Sequence, residues 1–258
     1  MSSIEEGTSA SGAQGLLYQP YDQFMLFGDS ITEFSCNQSM GFAFHPALQN
    51  SYIRRLDVIN RGFSGYTSAN ALQVLPSFFP TPRTAKVRLM TIFFGANDAC
   101  LPGKFQHVPL GEYKKNLEKL IEHPAVKEQN PRIIIITPPP VNEYQFFDMD
   151  DPSRIASNTK LYAEAAREVA GSLGVPVADI WTRFMEAAGW QEGQPLLGSR
   201  DVPESEKLQS FLTDGLHLTP DGYRIVYEEV MEVIRVNWPD QTPEQLSRVF
   251  PGWQDAPK

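Results

Sequence analysis

The chain has 258 residues, and its 22 Lys and Arg against 31 Asp and Glu give a formal net charge of −9. This acidic balance argues against nucleic acid as a partner and against an anionic membrane surface. The chain contains 2 cysteines, too few for a disulfide framework or a four-cysteine zinc site. Hydrophobic residues make up 41% of the chain, which is enough to form a sizeable core and excludes disorder for most of it.

The amino-terminal residues are polar and lack the basic and apolar regions of a secretory signal. We expect a flexible tail over residues 1–20, followed by a single domain over residues 21–258. No apolar run approaches the length of a membrane-spanning helix, so no membrane span is expected. Two cysteines without a disulfide framework are typical of reduced thiols, which predicts a cytoplasmic location.

Short apolar runs alternate with helical patterns, which predicts an α/β fold with a parallel sheet and crossover helices. The runs that read as strands cover residues 24–27, 56–60, 87–94, 133–136 and 175–179. Because they are almost continuously apolar, we expect helices on both faces of the sheet. The fifth contains Pro176, which cannot donate to a ladder, and is therefore predicted to be an edge strand.

Three helices have clear signals. Apolar stripes at helical spacing cover residues 113–121 and 155–169. A third helix is predicted to begin at Thr219-Pro220, since Thr is a suitable N-cap and Pro suits the first helical position. Two loops, residues 138–152 and 189–212, are longer than is usual in a compact domain and are candidates for a functional role.

Polar and small residues follow the first three strands, at the edge where parallel sheets bind ligands. Ser30 stands at the first of these strand ends, where its hydroxyl can face the crevice. His217 can accept the hydroxyl proton, and Asp214 lies three residues before it, close enough to orient the imidazole. Taken singly, Ser30 reads as a helix cap and His217 as a residue of no special role. Taken together, the three side chains predict nucleophilic catalysis of acyl transfer.

Acyl transfer also needs hydrogen-bond donors for the oxyanion. The predicted donors are the backbone N–H of Ser30, the backbone N–H of Gly62 and the side-chain amide of Asn97. A glycine at position 62 would let the backbone approach the substrate closely. Read alone, Asn97 fits an Asx turn at a strand end.

Four segments together resemble the signature blocks of the SGNH, or GDSL-type, hydrolase family. In chain order these are Gly28-Asp29-Ser30-Ile31-Thr32, Gly62, Gly95-Ala96-Asn97-Asp98 and Asp214-Gly215-Leu216-His217. The α/β-hydrolase family is disfavoured because its nucleophile motif requires Gly where this chain has Thr32. Within the SGNH family, residues 60–66, 93–99 and 137–140 are most similar to the fungal isoamyl acetate-hydrolysing esterases.

The resemblance implies a three-layer α/β/α sandwich around a flavodoxin-like parallel sheet of about five strands. It implies a serine esterase for short-chain, acetate-type esters, with a small-molecule ester as substrate and neither a metal nor an organic cofactor. On the loop after the fourth strand, Tyr144, Phe146 and Phe147 are candidates for the substrate pocket. A homodimer is possible from the sequence.

Two alternatives stay open at this point. One is a carbohydrate O-deacetylase or an acyltransferase of the same family. The other is a non-catalytic, flavodoxin-like protein that binds a small molecule without turnover.

Overall fold

The computed structural model describes residues 20–146 and 152–256. The predicted tail over residues 1–20 therefore lies outside the described residues except for Pro20, and the candidate pocket residue Phe147 also lies outside them.

The centre of the molecule is a parallel sheet whose strands run in the order β2-β1-β3-β4-β5. These strands are β1 (Asp22–Gly28), β2 (Leu56–Gly62), β3 (Val87–Phe93), β4 (Arg132–Ile136) and β5 (Val177–Ala178). The predicted parallel sheet is thus confirmed. The edge strand β5 is shorter than predicted and begins after Pro176, which contributes only its carbonyl, to Ile135 N–H at 3.1 Å.

The described residues form nine α-helices, of which six lie between strands and three follow β5. They are α1 (Ser30–Glu33), α2 (Phe44–Ser51), α3 (Ser68–Phe78), α4 (Leu110–Ile121), α5 (Pro124–Gln129), α6 (Ala156–Leu173), α7 (Ile180–Ala187), α8 (Glu206–Gln209) and α9 (Pro220–Asn237). As predicted, Thr219 caps α9: its hydroxyl accepts from Gly222 N–H at 3.3 Å, and Pro220 is the first helical residue. No helix in these parts of the chain is long and apolar enough to cross a membrane.

Alternate side chains of each central strand enter two separate cores. Phe24 and Leu26 of β1 pack with α2, α7 and α9 on one face of the sheet. Met25 and Phe27 pack with α3, α4 and α6 on the other face. Burial on both faces explains why the strands are continuously apolar in sequence, and it gives the predicted three layers.

The strand order reverses between β1 and β3, because the chain leaves β1 toward β2 on one side and returns to β3 on the other. This is the topological switch point at which doubly wound sheets bind ligands, just beyond the carboxyl ends of the strands. Ser30 follows β1 directly, and Asn97 follows β3 closely. The fold therefore brings these two side chains to one edge of the sheet.

Candidate active site

Ser30 is the first residue of α1, directly after the strand β1. The preceding residue, Asp29, caps this short helix: its Oδ1 accepts from Ile31 N–H at 2.9 Å. The N–H of Ser30 has no acceptor among the described residues, as is normal for the first turn of a helix. The strand end and the cap thus fix Ser30 while leaving one backbone donor beside its hydroxyl.

His217 and Asp214 lie on a turn just before α9, in the order that the sequence predicts. The Ser30 hydroxyl is 2.9 Å from His217 Nε2, and His217 Nδ1 is 2.7 Å from Asp214 Oδ2. The side-chain hydrogen bond from His217 holds the pKa of Asp214 well below its usual range. Because an ionised carboxylate only accepts, Nδ1–H donates to Asp214 and leaves Nε2 to accept from Ser30.

The Asp214–His217 turn is held from two directions. Asp214 Oδ1 accepts from His217 N–H at 2.8 Å and from Leu216 N–H at 3.1 Å. From outside the turn, Asn142 N–H donates to Gly215 O at 2.9 Å. A Cβ on Gly215 would lie 2.4 Å from Asn142 O, so the turn fits against the segment after β4 only with glycine there.

The structure changes the role that we predicted for Gly62. Its N–H is not free for a substrate, because it donates to Asn60 Oδ1 at 2.8 Å. A Cβ on Gly62 would lie 2.0 Å from Glu33 N, which shows that Gly62 is needed for the contact between β2 and α1. The glycine at position 62 does allow a close backbone approach, but the approach is to the backbone of α1 and not to a substrate.

Gly65, three residues later, carries a backbone N–H that has no acceptor among the described residues. Gly65 has φ +79°, a left-handed conformation that favours glycine. The turn is fixed from both sides, since Ser64 N–H donates to Glu33 Oε2 at 2.7 Å and Asn97 Nδ2 donates to Tyr66 O at 2.9 Å. Gly65 therefore lies between α1 and Asn97. The sequence signal for it was a second glycine in the segment that drew attention to Gly62.

Asn97 is buried, with 3% of its surface exposed, and follows β3. One N–H of its amide is engaged by Tyr66 O, and its Oδ1 accepts from Arg154 Nη2 at 2.8 Å. The second N–H of the amide is left for another acceptor. The next residue, Asp98, has a structural role, as expected: its carboxylate accepts from the backbone N–H and the hydroxyl of Ser68.

Two buried carboxyl groups lie under the site. Burial raises the pKa of Asp29 to about 7, and the nearby Asp98 adds to the rise, whereas the Ile31 N–H, His217 and Arg154 oppose it. Burial raises the pKa of Asp98 to about 6, against the hydrogen bonds from Ser68. Asp29 Oδ2 has no hydrogen-bond partner in the described structure.

An apolar cavity lies beside His217. It encloses about 460 Å³, part of which is open to solvent. Its lining residues come mainly from the segment after α1 and from the start of α9, and they are Phe34, Asn37, Met40, Phe42, Thr213, His217, Leu218, Pro220 and Tyr223. The Phe34 ring lies 5.3 Å from the imidazole, centroid to centroid.

The predicted pocket residues Tyr144 and Phe146 are not among the residues that line this cavity. Tyr144 donates its hydroxyl to Val202 O at 2.6 Å. Phe146 packs under the Asp214–His217 turn, where a Cβ on Gly215 would lie 3.0 Å from its ring. The loop after β4 therefore supports the Asp214–His217 turn. Aromatic residues on a loop do not reveal by sequence alone whether they face substrate or protein.

Comparison with known proteins agrees with this geometry. The model of the GDSL-like lipase/acylhydrolase family matches residues 26–225. The chain belongs to this family. A GDSL esterase/lipase of Arabidopsis thaliana is 35% identical over 89% of this chain and 91% of its own length. The isoamyl acetate-hydrolysing esterase of Saccharomyces cerevisiae is 32% identical over 92% of this chain and 95% of its own length.

A solved structure agrees as well. The lipase/acylhydrolase from Enterococcus faecalis superposes with a TM-score of 0.59 and 25% identity, covering 89% of this chain and 100% of that one. The predicted family and three-layer α/β/α fold are confirmed, and this GDSL-family chain is a carboxylic ester hydrolase.

Proposed function

We propose that this GDSL-family enzyme hydrolyses short-chain esters of apolar alcohols through an acyl intermediate on Ser30. The observation that carries the proposal is the continuous hydrogen-bonded chain from Ser30 through His217 to Asp214, next to an apolar cavity. The Ser30 hydroxyl has a base beside it, and that base has a carboxylate that orients it, as nucleophilic catalysis requires.

The reaction proceeds by double displacement. Ser30 Oγ attacks the ester carbonyl carbon while His217 Nε2 takes the hydroxyl proton. The tetrahedral intermediate collapses, the bond to the alcohol oxygen breaks, and His217 returns the proton to that oxygen. Water then attacks the acyl group, again giving its proton to Nε2, and the acid leaves with Ser30 regenerated. Asp214 stays ionised and stabilises the imidazolium formed in each half-reaction.

The oxyanion is stabilised by three donors. Ser30 N–H and the second N–H of Asn97 Nδ2 have the roles that the sequence predicts. Gly65 N–H takes the role first given to Gly62, because the Gly62 N–H is engaged by Asn60. Preorganised donors of this kind act where the negative charge develops.

The cavity supports an alkyl group on the alcohol side of the substrate. Since His217 must protonate the leaving oxygen, the alcohol lies next to its imidazole, and Phe34, Phe42 and Leu218 make that side apolar. The yeast relative is named for isoamyl acetate, which supports an acetate-type acyl group here. The hydroxyl groups of an acetylated carbohydrate would find no hydrogen-bond partner on Phe34, Phe42 or Leu218, so we place O-deacetylation second.

The proposal is tested with chromogenic esters whose acyl chains run from acetate to octanoate, alongside an acetylated sugar. Activity should be highest on the short acyl chains, and a fluorophosphonate should label Ser30, as mass spectrometry of peptides will show. Ser30→Ala should lose at least about 10³-fold in kcat. Ser172→Ala, whose hydroxyl donates only to Val169 O within α6, should not change kcat. A label on another residue would remove the assignment, and preference for the sugar or for an acceptor alcohol over water would favour the alternatives.

Three further expectations remain proposals. Cytoplasmic location fits the two free cysteines, Cys36 and Cys100, and is testable by cell fractionation. A homodimer is testable by light scattering. The single domain over residues 21–258 is testable by limited proteolysis.

A further inference from the structure

Arg154 is a buried cation near the candidate oxyanion site, with 7% of its surface exposed. Its Nη2 donates to Asn97 Oδ1 at 2.8 Å and to Gln106 Oε1 at 2.9 Å. Its Nε donates to Ala96 O at 2.7 Å, and its Nη1 donates to Ser153 Oγ at 3.1 Å. All four acceptors are uncharged. Burying a charge among neutral acceptors is costly, so this arrangement calls for an explanation beyond stability.

The two amides that accept from Nη2 both continue to the turn that carries Gly65. Asn97 Nδ2 donates to Tyr66 O at 2.9 Å, and the half-buried Gln106 donates through Nε2 to Gly65 O at 2.8 Å. One nitrogen of Arg154 is therefore connected, through two parallel amides, to two consecutive carbonyls of this turn.

We propose that Arg154 is a positioning residue of the oxyanion hole, which orients the amide of Asn97 directly and the Gly65 turn through Gln106. A guanidinium has hydrogen-bond donors and no acceptor, so each amide can bind it in one orientation only, with the amide oxygen toward the arginine. That orientation directs Asn97 Nδ2 toward Tyr66 O and the reacting centre. With Asn97 rotated the other way, two donors would face each other in a buried position.

The charge of Arg154 has a second effect on the same amide. A cation that donates to Oδ1 draws electron density away from the amide nitrogen and makes its N–H groups stronger donors. This effect is largest when negative charge develops on the oxyanion, so it lowers the barrier more than it tightens substrate binding. Arg154 should therefore influence kcat and leave KM nearly unchanged.

This inference rests on the proposed function, and its test compares Arg154→Met with Asn97→Ala on a short-chain acetate ester. Asn97→Ala should lower kcat by about 10²- to 10³-fold, as for the loss of one oxyanion donor. Arg154→Met should lower kcat by about 10- to 100-fold, with KM changed less than about threefold. In the double variant, kcat should be less than about threefold lower than in Asn97→Ala alone, because Arg154 acts mainly through the amide of Asn97. Arg154→Lys keeps the positive charge but loses the planar group that donates to both Asn97 and Gln106, so it should recover only part of kcat.

Arg167→Met is the matched control. Arg167 lies on α6 and donates to both carboxylate oxygens of Asp179, at 2.9 and 3.0 Å, away from the oxyanion site. It should lower the unfolding midpoint without changing kcat. If Arg154→Met does not fold, Gln106→Met is used instead, because Gln106 is only half-buried. In that variant kcat should fall because the hydrogen bond from Gln106 to Gly65 O is lost.

Hydrogen exchange at Ser64 and Tyr66, whose N–H groups donate to Glu33 Oε2 and Phe63 O, supplies a readout that does not depend on turnover. These amides should exchange faster in Arg154→Met than in the wild type or in Arg167→Met. Unchanged exchange, unchanged kcat, or costs that multiply fully in the double variant would each overturn the positioning role. A wild type that does not hydrolyse the ester at all would instead refute the proposed function, and the exchange result would still decide the role of Arg154.

Discussion

Asp214 is the most exposed of the three hydrogen-bonded side chains. Its side chain is 55% exposed, against 26% for His217. Its pKa nevertheless lies well below the usual range, because the His217 side chain and two backbone N–H groups donate to it. Asp214 therefore carries a full negative charge throughout the pH range of ordinary assays, and it fixes the histidine tautomer that can accept from Ser30.

Asp214→Asn removes this charge while keeping nearly the same shape. The amide can still accept from the turn N–H groups, but its NH₂ no longer selects the tautomer with a proton on Nδ1. We expect kcat on a short-chain ester to fall by about 10²- to 10⁴-fold, with a smaller change in KM. Steady-state kinetics measures both parameters.

Asp201→Asn serves as the control for this change. Asp201 is an exposed aspartate whose carboxylate accepts from Ser199 Oγ at 3.2 Å. It should retain the wild-type kcat. If Asp214→Asn also retained it, Asp214 would have no part in orienting the base.

At the scale of elements, Gly62 sets the distance between β2 and α1. A Cβ at this position would lie 2.0 Å from Glu33 N and 2.4 Å from Glu33 Cα, both atoms of the backbone at the end of α1. Asn60 reinforces the same contact, since its Nδ2 donates to Thr32 O at 2.8 Å while its Oδ1 accepts from Gly62 N–H. The helix that begins with Ser30 therefore rests on the end of the neighbouring strand.

Gly62→Ala should displace α1 and so act on stability and activity together. Overpacking against backbone atoms should lower the free energy of unfolding by about 1–3 kcal/mol, and kcat should fall because Ser30 moves with its helix. The matched change is Gly171→Ala in α6, where a Cβ would meet nothing within 4 Å. It should raise the free energy of unfolding by about 0.4–1 kcal/mol and leave kcat unchanged. Urea titration measures both, and equal effects at the two glycines would contradict the packing role of Gly62.

These elements also show what the sequence can and cannot predict. The strand ends were predictable because each apolar run stops at glycine or a polar residue, and the switch-point topology then brings Ser30 and Asn97 together. The availability of a particular N–H was not predictable, since it depends on whether the side chain of Asn60 turns back to Gly62. The role of Phe146 was equally hidden, because a loop aromatic that supports the His217 turn and one that contacts substrate have the same local pattern.

At the scale of the whole molecule, the buried carboxyl groups make stability depend on pH. The pKa of Asp29 is raised by burial to about 7, whereas an aspartate in an unfolded chain titrates near about 3.9. Between these two values the folded chain binds the proton more tightly than the unfolded chain does. The contribution of Asp29 to stability therefore falls as pH rises through this window, and Asp98, with its pKa raised to about 6, acts in the same direction.

Asp29→Asn should remove its part of this dependence. The amide can still cap α1 by accepting from Ile31 N–H, and it carries no proton to lose. The unfolding free energy of the variant minus that of the wild type should increase by about 2 kcal/mol from about pH 5 to about pH 8. The value of this difference at either single pH does not affect the test. Asp29→Ser, another neutral capping residue, should show the same gain. Urea titrations at the two pH values decide the question, and parallel curves for wild type and variants would contradict the buried, protonated carboxyl.

The hydrogen bond between Ser30 and His217 joins positions 187 residues apart in the chain. In the proposed mechanism, a nascent chain that has already made β1 and Ser30 has no general base until residue 217 has been synthesised and the turn before α9 has reached the end of β1. Until then the Ser30 hydroxyl has no imidazole to take its proton. Under the proposed mechanism, ester turnover therefore requires that the loop between positions 30 and 217 has closed before the first substrate molecule can be cleaved.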